Sequence, residues 1–318
     1  MTQVSAPVDR AQGPIGRDQV SASPIPQVRS EQWRILLGIG LVCLAGTMFP
    51  FMNACAKMLG ADYSVLQVSW ARFFGHVLFM AALFMPRRGL RLFVTRRPKA
   101  QLARSILQCA SNLCFVAAIV FQPLADAAAI GMTGPLIVAL LAWPILGERT
   151  TFGHAIAILI GFAGVLIIIR PGSGVFHPSA LLLIASAGCH ALYQIVTRMV
   201  ANIDPPETTT FYSSLFGAVG LLAVLPFIWK TPANLRDLMF FCTLGVIGGL
   251  GHYCVVRALA YAPANIIAPF GYFQLIGSVI VGYLVFNHLP DAATWLGAAV
   301  IVGAGLYLGV SQTRRRAP

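Results

Sequence analysis

An all-α membrane protein is the fold class that the sequence predicts, and three observations lead to it. Of the 318 residues, 58% are hydrophobic and only 10% are charged, whereas soluble domains carry about 25% charged residues. The apolar residues form blocks of about 20, the length at which a helix crosses a bilayer core. The connections between blocks are short, so no soluble domain remains. An ordinary soluble enzyme, a disulfide-rich secreted protein and a disordered chain are excluded.

Ten apolar segments are long enough to be transmembrane helices. They span residues 35–58, 64–85, 102–122, 125–146, 151–169, 179–198, 209–229, 237–259, 265–286 and 291–310. Most prolines stand near the ends of these segments, where a missing N–H costs least. The prolines inside segments, which predict kinks because each frees a backbone carbonyl, are Pro50, Pro135, Pro144 and Pro269.

Lysine and arginine are distributed unevenly between the two ends of the predicted helices. With the N-terminus inside, the cytoplasmic face receives 17 basic residues and the opposite face 4. Cytoplasmic loops carry such an excess, so we expect an inner-membrane protein with both termini in the cytoplasm. The net charge of +12 is therefore attributed to topology rather than to nucleic-acid binding. Residues 1–34 are predicted to be a flexible cytoplasmic tail without a signal peptide, and residues 311–318 a basic cytoplasmic tail.

Two halves of the chain resemble each other at an offset of about 141 residues. Residues 53–58 match 194–199, where an amide precedes a cation by four positions, and residues 122–148 match 262–288. The predicted repeats, 35–170 and 178–310, each contain five helices. Because five is odd, the second copy enters the membrane in the opposite orientation. The sequence therefore predicts two inverted five-helix repeats, the architecture of secondary transporters with a site near the midplane.

Arg72 is the one cation that the predicted spans place clearly within the membrane, roughly 12 Å from the outer end of its helix. An intramembrane charge is a functional-site hypothesis, although snorkelling or a bond to freed carbonyls would also explain it. His76 follows one turn later. In contrast, none of the ten acidic residues lies deep in a span, so a carboxylate-based proton or sodium site is not expected. Facilitated diffusion, exchange or coupling through histidine remains.

Nothing in the sequence indicates a cofactor or a metal. The seven cysteines form no CxxC pair, and there is no GxxxxGK[ST] phosphate loop. The six histidines are scattered and unaccompanied, so an integral membrane enzyme is only a remote alternative. The expected partners are the lipid bilayer and a small-molecule substrate, with no nucleic acid, and the protein is either a monomer or a homodimer.

Several short motifs together resemble the EamA family of the drug/metabolite transporter superfamily. The resemblance covers residues 35–310 and is carried by Ala71-Arg72-Phe73-Phe74, Pro123, Pro135, Leu146-Gly147-Glu148-Arg149, Gly161 with Gly164, and Ala262-Pro263-Ala264. The second repeat departs from the pattern, because Asn287-His288 replaces the usual Gly-Glu. We expect Glu148 and Arg149 to anchor the cytoplasmic end of the fourth span and to contribute to an inner gate, with an ordinary interfacial ion pair as the alternative. Pro135 and Pro269 are expected to serve gating or structure.

Polar side chains inside the spans are the candidate substrate contacts, because buried polar groups are costly unless they are paired. Hydrogen bonding between helices is the alternative explanation. The candidates are Asn53, Arg72, Thr133, Tyr193, Gln194, Tyr272 and Gln274. In the superfamily, spans 1, 4, 6 and 9 line the cavity, which favours Asn53, Gln194, Tyr272 and Gln274.

The substrate is expected to be a small polar metabolite moved by alternating access. Residues 268–274 and 211–214 resemble importers of riboflavin or S-adenosylmethionine more than exporters. A pocket of aromatic rings and amides without acids suits riboflavin, which is the leading expectation. S-adenosylmethionine uptake and the export of amino acids or other metabolites stay open.

Overall fold

The computed structural model describes residues 25–146, 152–171, 177–200, 203–261 and 267–316. The regular structure in these ranges is entirely helical. The α-helices are α1 (Ile25–Leu59), α2 (Val65–Arg88), α3 (Pro98–Ile119), α4 (Leu124–Gly131), α5 (Gly134–Leu146), α6 (Phe152–Ile169), α7 (Ser179–Val200), α8 (Pro206–Gly220), α9 (Leu225–Ile228), α10 (Leu235–Tyr261), α11 (Phe273–Phe286) and α12 (Ala292–Arg316).

Within the described residues, eight helical segments are long and apolar enough to cross a membrane, and Phe270–Phe286 is a shorter apolar helix. The chain is therefore a multi-pass helical membrane protein. The predicted count of ten is not reached on these criteria for two reasons. The segment 209–229 is divided among α8, a 3-10 turn at Leu221–Ala223 and α9. The ninth segment enters α11 through a 3-10 turn at Ala268–Tyr272.

Two of the four prolines inside spans coincide with a change of helix type. The fourth span is divided at Met132 and Thr133, and Pro135 is the second residue of α5. Pro135 has no N–H to donate to Gly131, so the α4 hydrogen-bond pattern ends there. Pro269 lies in the 3-10 turn before α11. By contrast, α1 continues through Pro50 and α5 through Pro144.

Helix packing follows a regular pattern when the helices are numbered by predicted span. The α1–α10 contact joins spans 1 and 8, and the α3–α7 contact joins spans 3 and 6. If each span of one half is replaced by the corresponding span of the other half, span 1 becomes span 6 and span 8 becomes span 3. The first contact is then converted into the second. The same replacement relates α2–α10 to α3–α8, and α1–α11 to the contacts of α7 with α4 and α5. The contacts α2–α8 and α6–α12 map onto themselves.

Glycine allows two helix pairs to approach to backbone contact. A Cβ atom added to Gly75 of α2 would lie 2.5 Å from the Cα atom of Gly245 on α10. Similarly, a Cβ added to Gly164 of α6 would lie 2.8 Å from the carbonyl oxygen of Gly297 on α12. Close backbone approach is a common basis of helix association in membranes, where lipid provides no hydrophobic drive.

Asn287, where the sequence departs from the usual Gly-Glu, ends α11 in the left-handed conformation with φ of 51°. Its N–H donates to Tyr283, and the N–H of His288 donates to Gly282. Helices commonly end on a residue in this conformation, which is usually glycine and sometimes asparagine. The departure therefore places at the turn a residue that tolerates its backbone conformation.

The Gly75–Gly245 contact leads to a stability prediction. Gly75→Ala forces α2 and α10 apart and should cost about 1–3 kcal/mol, the usual cost of overpacking, seen as a lower melting temperature in detergent. Gly303→Ala is the matched control, because nothing lies within 4 Å of the added Cβ atom there. Equal melting temperatures for the two variants would contradict the contact.

Candidate functional site

Arg72 lies deep in the helix bundle and yet keeps accessible surface. Its aliphatic stem packs over α10, where an added Cβ atom at Gly248 would come within 3.8 Å of Arg72 Cγ. Arg72 makes no hydrogen bond or ion pair with any residue in the described ranges. Its nitrogens are nevertheless not among the fully buried polar atoms that lack a partner, so they keep some accessible surface. The nitrogens of this deep side chain are therefore not enclosed by protein.

Three histidines from three helices lie within electrostatic range of Arg72: His76 of α2, His190 of α7 and His252 of α10. The ring centroids of His76 and His252 are 5.3 Å apart, and Phe49 of α1 lies 5.2 Å from His252. His190 and His252 keep accessible surface, whereas His76 is only 4% exposed. We call Arg72, His76, His190 and His252 the central cluster.

Tyr193 links the central cluster to a second group of hydrogen-bonded residues around Arg104. Its ring stacks on His190 at a centroid distance of 5.5 Å, but its hydroxyl oxygen accepts a hydrogen bond from Arg104 Nη2 at 3.1 Å. The hydroxyl also lies 3.2 Å from Ser213 Oγ. The hydroxyl of Tyr193 is therefore bonded to other protein groups. Only its ring is left to face the central cluster.

Gln194 and Thr133 both lie near the break between α4 and α5. Gln194 Nε2 lies 3.8 Å from the position of a Cβ atom added to Gly134. The Thr133 hydroxyl donates to the carbonyl of Ile130 at 2.7 Å and is buried. Gln194 thus lies beside the interruption of the fourth span, while Thr133 closes the last turn of α4.

Tyr272 and Gln274 pack against α12 and α1, respectively. The Tyr272 hydroxyl points at α12, since a Cβ atom added to Gly305 would lie 2.0 Å from it. The backbone of Gln274 faces Gly46 of α1. Both side chains keep some accessible surface, so their contact with substrate stays a prediction.

Asn53 is 7% exposed on α1, one turn before Lys57. Lys57 Nζ donates to the carbonyl oxygens of Ile119 and Gln122 at 2.6 and 2.7 Å. These groups belong to the C-terminal end of α3, where a cation is electrostatically favoured. Lys57 is therefore a structural anchor between α1 and α3. Its counterpart Arg198 has no described side chain.

Three of the candidate gating residues lie wholly or partly outside the description. Glu148 and Arg149 fall outside the described residues, and the side chain of Pro269 is not described. Pro135 is exposed at the start of α5. Their gating or structural roles stay predictions.

Arg104 is the residue that sequence reasoning placed wrongly. It was counted with the cytoplasmic loop, but it is the seventh residue of α3 and only 1% exposed. Its five N–H donors bind Thr197 Oγ1, Gln101 Oε1, the Thr209 carbonyl, Tyr193 Oη and Ser213 Oγ at 2.6–3.1 Å. A guanidinium has five donors, so Arg104 is saturated and holds α3, α7 and α8 together. Its position four residues before Gln108 was the available signal of an inward face.

Asp204 completes this network at the end of the bundle that carries the α2–α3 connection. It accepts hydrogen bonds from the backbone N–H of Arg96, the Thr95 hydroxyl and Gln101 Nε2. Burial by itself would raise the pKa of Asp204, but these donors outweigh it and hold that pKa below its usual value. Asp204 thus joins the α7–α8 connection to the α2–α3 connection by hydrogen bonds. We call such a hydrogen-bonded contact between two connections a latch.

A similar latch closes the opposite end, which carries the α1–α2 connection. The fully buried Gln67 donates to the Lys230 carbonyl at 2.7 Å and accepts from the Lys230 N–H at 3.0 Å. The Tyr63 hydroxyl donates to Asp237 Oδ2 at 2.7 Å. A polar cavity of about 210 Å³ lies beside these residues, outside the central cluster.

The central cluster offers a cation, imidazole nitrogens and aromatic rings, which suit a polar organic molecule. In the part of the chain that the structure describes, no three His, Cys, Asp or Glu side chains are arranged to hold a metal ion.

Replacing the saturated arginine should be costly. Arg104→Met keeps much of the volume but leaves buried acceptors without donors, each worth about 1–3 kcal/mol, so we expect a melting temperature well below wild type. Arg257→Met is the matched control, because Arg257 is exposed on α10 and bonds to the Tyr261 hydroxyl. Wild-type melting of Arg104→Met would contradict the network.

Known proteins resemble this chain along almost its whole length. A riboflavin transporter of Rhizobium johnstonii is 30% identical over 291 residues, covering 90% of this chain and 95% of the relative. An S-adenosylmethionine uptake transporter of Rickettsia conorii is 25% identical, covering 88% and 94%. A pseudopaline exporter of Pseudomonas aeruginosa is 28% identical, covering 87% and 97%.

A protein of known crystal structure has a TM-score of 0.60 to this chain at 19% identity, covering 90% of this chain and 99% of the other. At that identity the likeness shows the fold alone. The EamA-like transporter family matches residues 36–170 and again residues 177–310. The chain therefore belongs to the EamA-like transporter family.

Proposed function

We propose that this protein is an inner-membrane secondary transporter that imports riboflavin by alternating access. The observation that carries the proposal is the central cluster. Arg72, His190 and His252 lie deep in the bundle and remain accessible, so they offer polar groups to a ligand inside an apolar protein. Such a group of polar side chains needs a reason, because polar groups at membrane depth are expensive.

Two inverted repeats of five helices, residues 35–170 and 178–310, are part of this proposal. The family matches the chain twice, over nearly these ranges. The helix contacts are exchanged in pairs when the halves are exchanged. Interrupted helices also occur in the corresponding spans 4 and 9, at Met132–Thr133 and at Ala268–Tyr272. Discontinuous helices in corresponding positions mark the substrate region of many transporters.

Riboflavin fits the chemistry of the central cluster. Its ring system is neutral, planar and rich in oxygen and nitrogen acceptors, so it can stack on aromatic side chains and accept hydrogen bonds from Arg72. The nearest aromatic surfaces are Phe49 and the Tyr193 ring, which flank His252 and His190 respectively. The relative that is a riboflavin transporter covers 90% of this chain, which supports the same cargo.

S-adenosylmethionine uptake is the second candidate. Four Rickettsia relatives with that activity are 25–26% identical to this chain, and Arg72 could bind the substrate carboxylate. However, the sulfonium would enter a space where the nearest charge is a cation, with no acidic member in the central cluster. Like charges in a low-dielectric interior repel strongly, so riboflavin is the first choice.

The orientation belongs to the same proposal. Both termini are placed in the cytoplasm, as the distribution of basic residues favours. Residues 1–34 and 311–318 are then cytoplasmic tails, and the latched α1–α2 end faces outward.

Uptake of labelled riboflavin tests the cargo. In a riboflavin-auxotrophic bacterium at limiting vitamin, the chain should give saturable uptake above empty vector that flavin analogues inhibit. Immunoblotting of the membrane fraction controls for expression. Uptake equal to empty vector with the protein in the membrane would exclude riboflavin import, and the same cells would then be assayed with labelled S-adenosylmethionine.

Cross-linking the two latches tests alternating access. In a cysteine-free background, cysteine pairs at Asp62 with Lys230 and at Thr95 with Asp204 join residues that already contact one another. A cleavable cross-linker at either pair should abolish flux, and cleavage should restore it. The four single-cysteine variants treated with the same reagent are the controls. Flux that persists with either end cross-linked would contradict alternating access.

A further inference from the structure

Arg72 and Arg104 are two arginines of one bundle with opposite hydrogen-bonding states. All five donors of Arg104 are bonded to protein, and its side chain is 1% exposed. Arg72 bonds to nothing in the described ranges, and its nitrogens remain accessible. Since a guanidinium held in place for structural reasons would find acceptors as Arg104 does, the donors of Arg72 are available to a ligand.

A second unpartnered group lies beside Arg72. The side chain of His76 is only 4% exposed. Its Nε2 atom is buried and has no hydrogen-bond partner among the described residues. His76 follows Arg72 by one helical turn, and its ring lies against His252 at 5.3 Å. A buried nitrogen without a partner costs free energy, so the protein next to Arg72 leaves a second polar group unsatisfied.

The packing around Arg72 fixes its direction. Its stem lies over Gly248, and Met52 Sδ lies 3.3 Å from the Cβ position of the same glycine. Any larger residue at 248 would meet both side chains. Glycine at this position therefore leaves room for the Arg72 stem and for Met52 against α10.

We propose that Arg72 forms a subsite that receives two adjacent acceptor atoms of the cargo, with His76 and His252 as its wall. This deepens the proposed function and rests on it. A guanidinium donates two parallel hydrogen bonds to such an edge, which a lysine cannot do. The C4 carbonyl and N5 of a flavin form one such edge, and a carboxylate forms another. The subsite selects cargo by this edge.

Matched ligand pairs that differ in the acceptor edge test the subsite. The pairs are riboflavin with 5-deazariboflavin, S-adenosylmethionine with its decarboxylated form, and tyrosine with tyramine. The purified full-length protein is heated with each compound over a concentration series, because a ligand that binds the folded state raises the melting temperature. The compared proteins are wild type, Arg72→Gln, Arg72→Lys and the exposed control Arg257→Gln.

In each pair, one member has the full acceptor edge: riboflavin, S-adenosylmethionine or tyrosine. Wild type and Arg257→Gln should bind that member about tenfold more tightly in at least one pair, which corresponds to one charge-assisted hydrogen bond. In Arg72→Gln the preference should fall close to one. Arg72→Lys should keep part of a preference for a carboxylate but lose a preference for riboflavin over 5-deazariboflavin.

Three outcomes would overturn the subsite. They are an unchanged preference in Arg72→Gln, the absence of stabilisation of wild type by all six compounds, and the failure of both Arg72 variants to fold, which would give Arg72 a structural role. The result is separable from the proposed cargo. Riboflavin uptake without discrimination within the flavin pair rejects the subsite alone, whereas discrimination only within the S-adenosylmethionine pair keeps the subsite and rejects riboflavin.

Discussion

Hydrocarbon offers no hydrogen bonds, and this constraint governs the whole structure. Each polar group inside a span must find a partner in the protein or border an internal polar space. The backbone satisfies the constraint by being helical. Side chains satisfy it by reciprocal pairs such as Ser111 and Ser186, each of which donates to the carbonyl of the other at 2.8–2.9 Å. What is left unpaired at depth is then informative about function.

The two buried arginines show both solutions. Arg104 uses every donor to join three helices, so its charge serves the fold. Arg72 is as deep but unpaired in the described structure, beside a histidine nitrogen that is also without a partner. The same physical cost that makes Arg104 a structural residue makes Arg72 a candidate for binding. Gly75 and Gly248 let α2 and α10 approach closely around Arg72.

Interruptions and latches provide the elements that a rocking mechanism requires. The fourth span breaks at Met132–Thr133, and the ninth begins in a 3-10 turn, so neither span is one continuous α-helix. At each end of the bundle a buried polar side chain, Gln67 or Asp204, binds the backbone of a distant connection. Hydrogen bonds of this kind are individually modest, about 1 kcal/mol net, which suits contacts that are made and broken in turn.

The sequence by itself determined the membrane class, the approximate limits of the helices and the family resemblance, because block length and charge pattern are local properties. It also identified Arg72, since a cation within an apolar block is visible without a structure. It could not place Arg104, which looked like one more basic loop residue beside the α2–α3 connection. Only the tertiary structure decided that His252 of α10 and His190 of α7 lie near Arg72 of α2, and that Arg104 is saturated by partners on α3, α7 and α8. It also directed the Tyr272 hydroxyl to α12, because which face of a helix meets which neighbour depends on contacts between residues far apart in the chain.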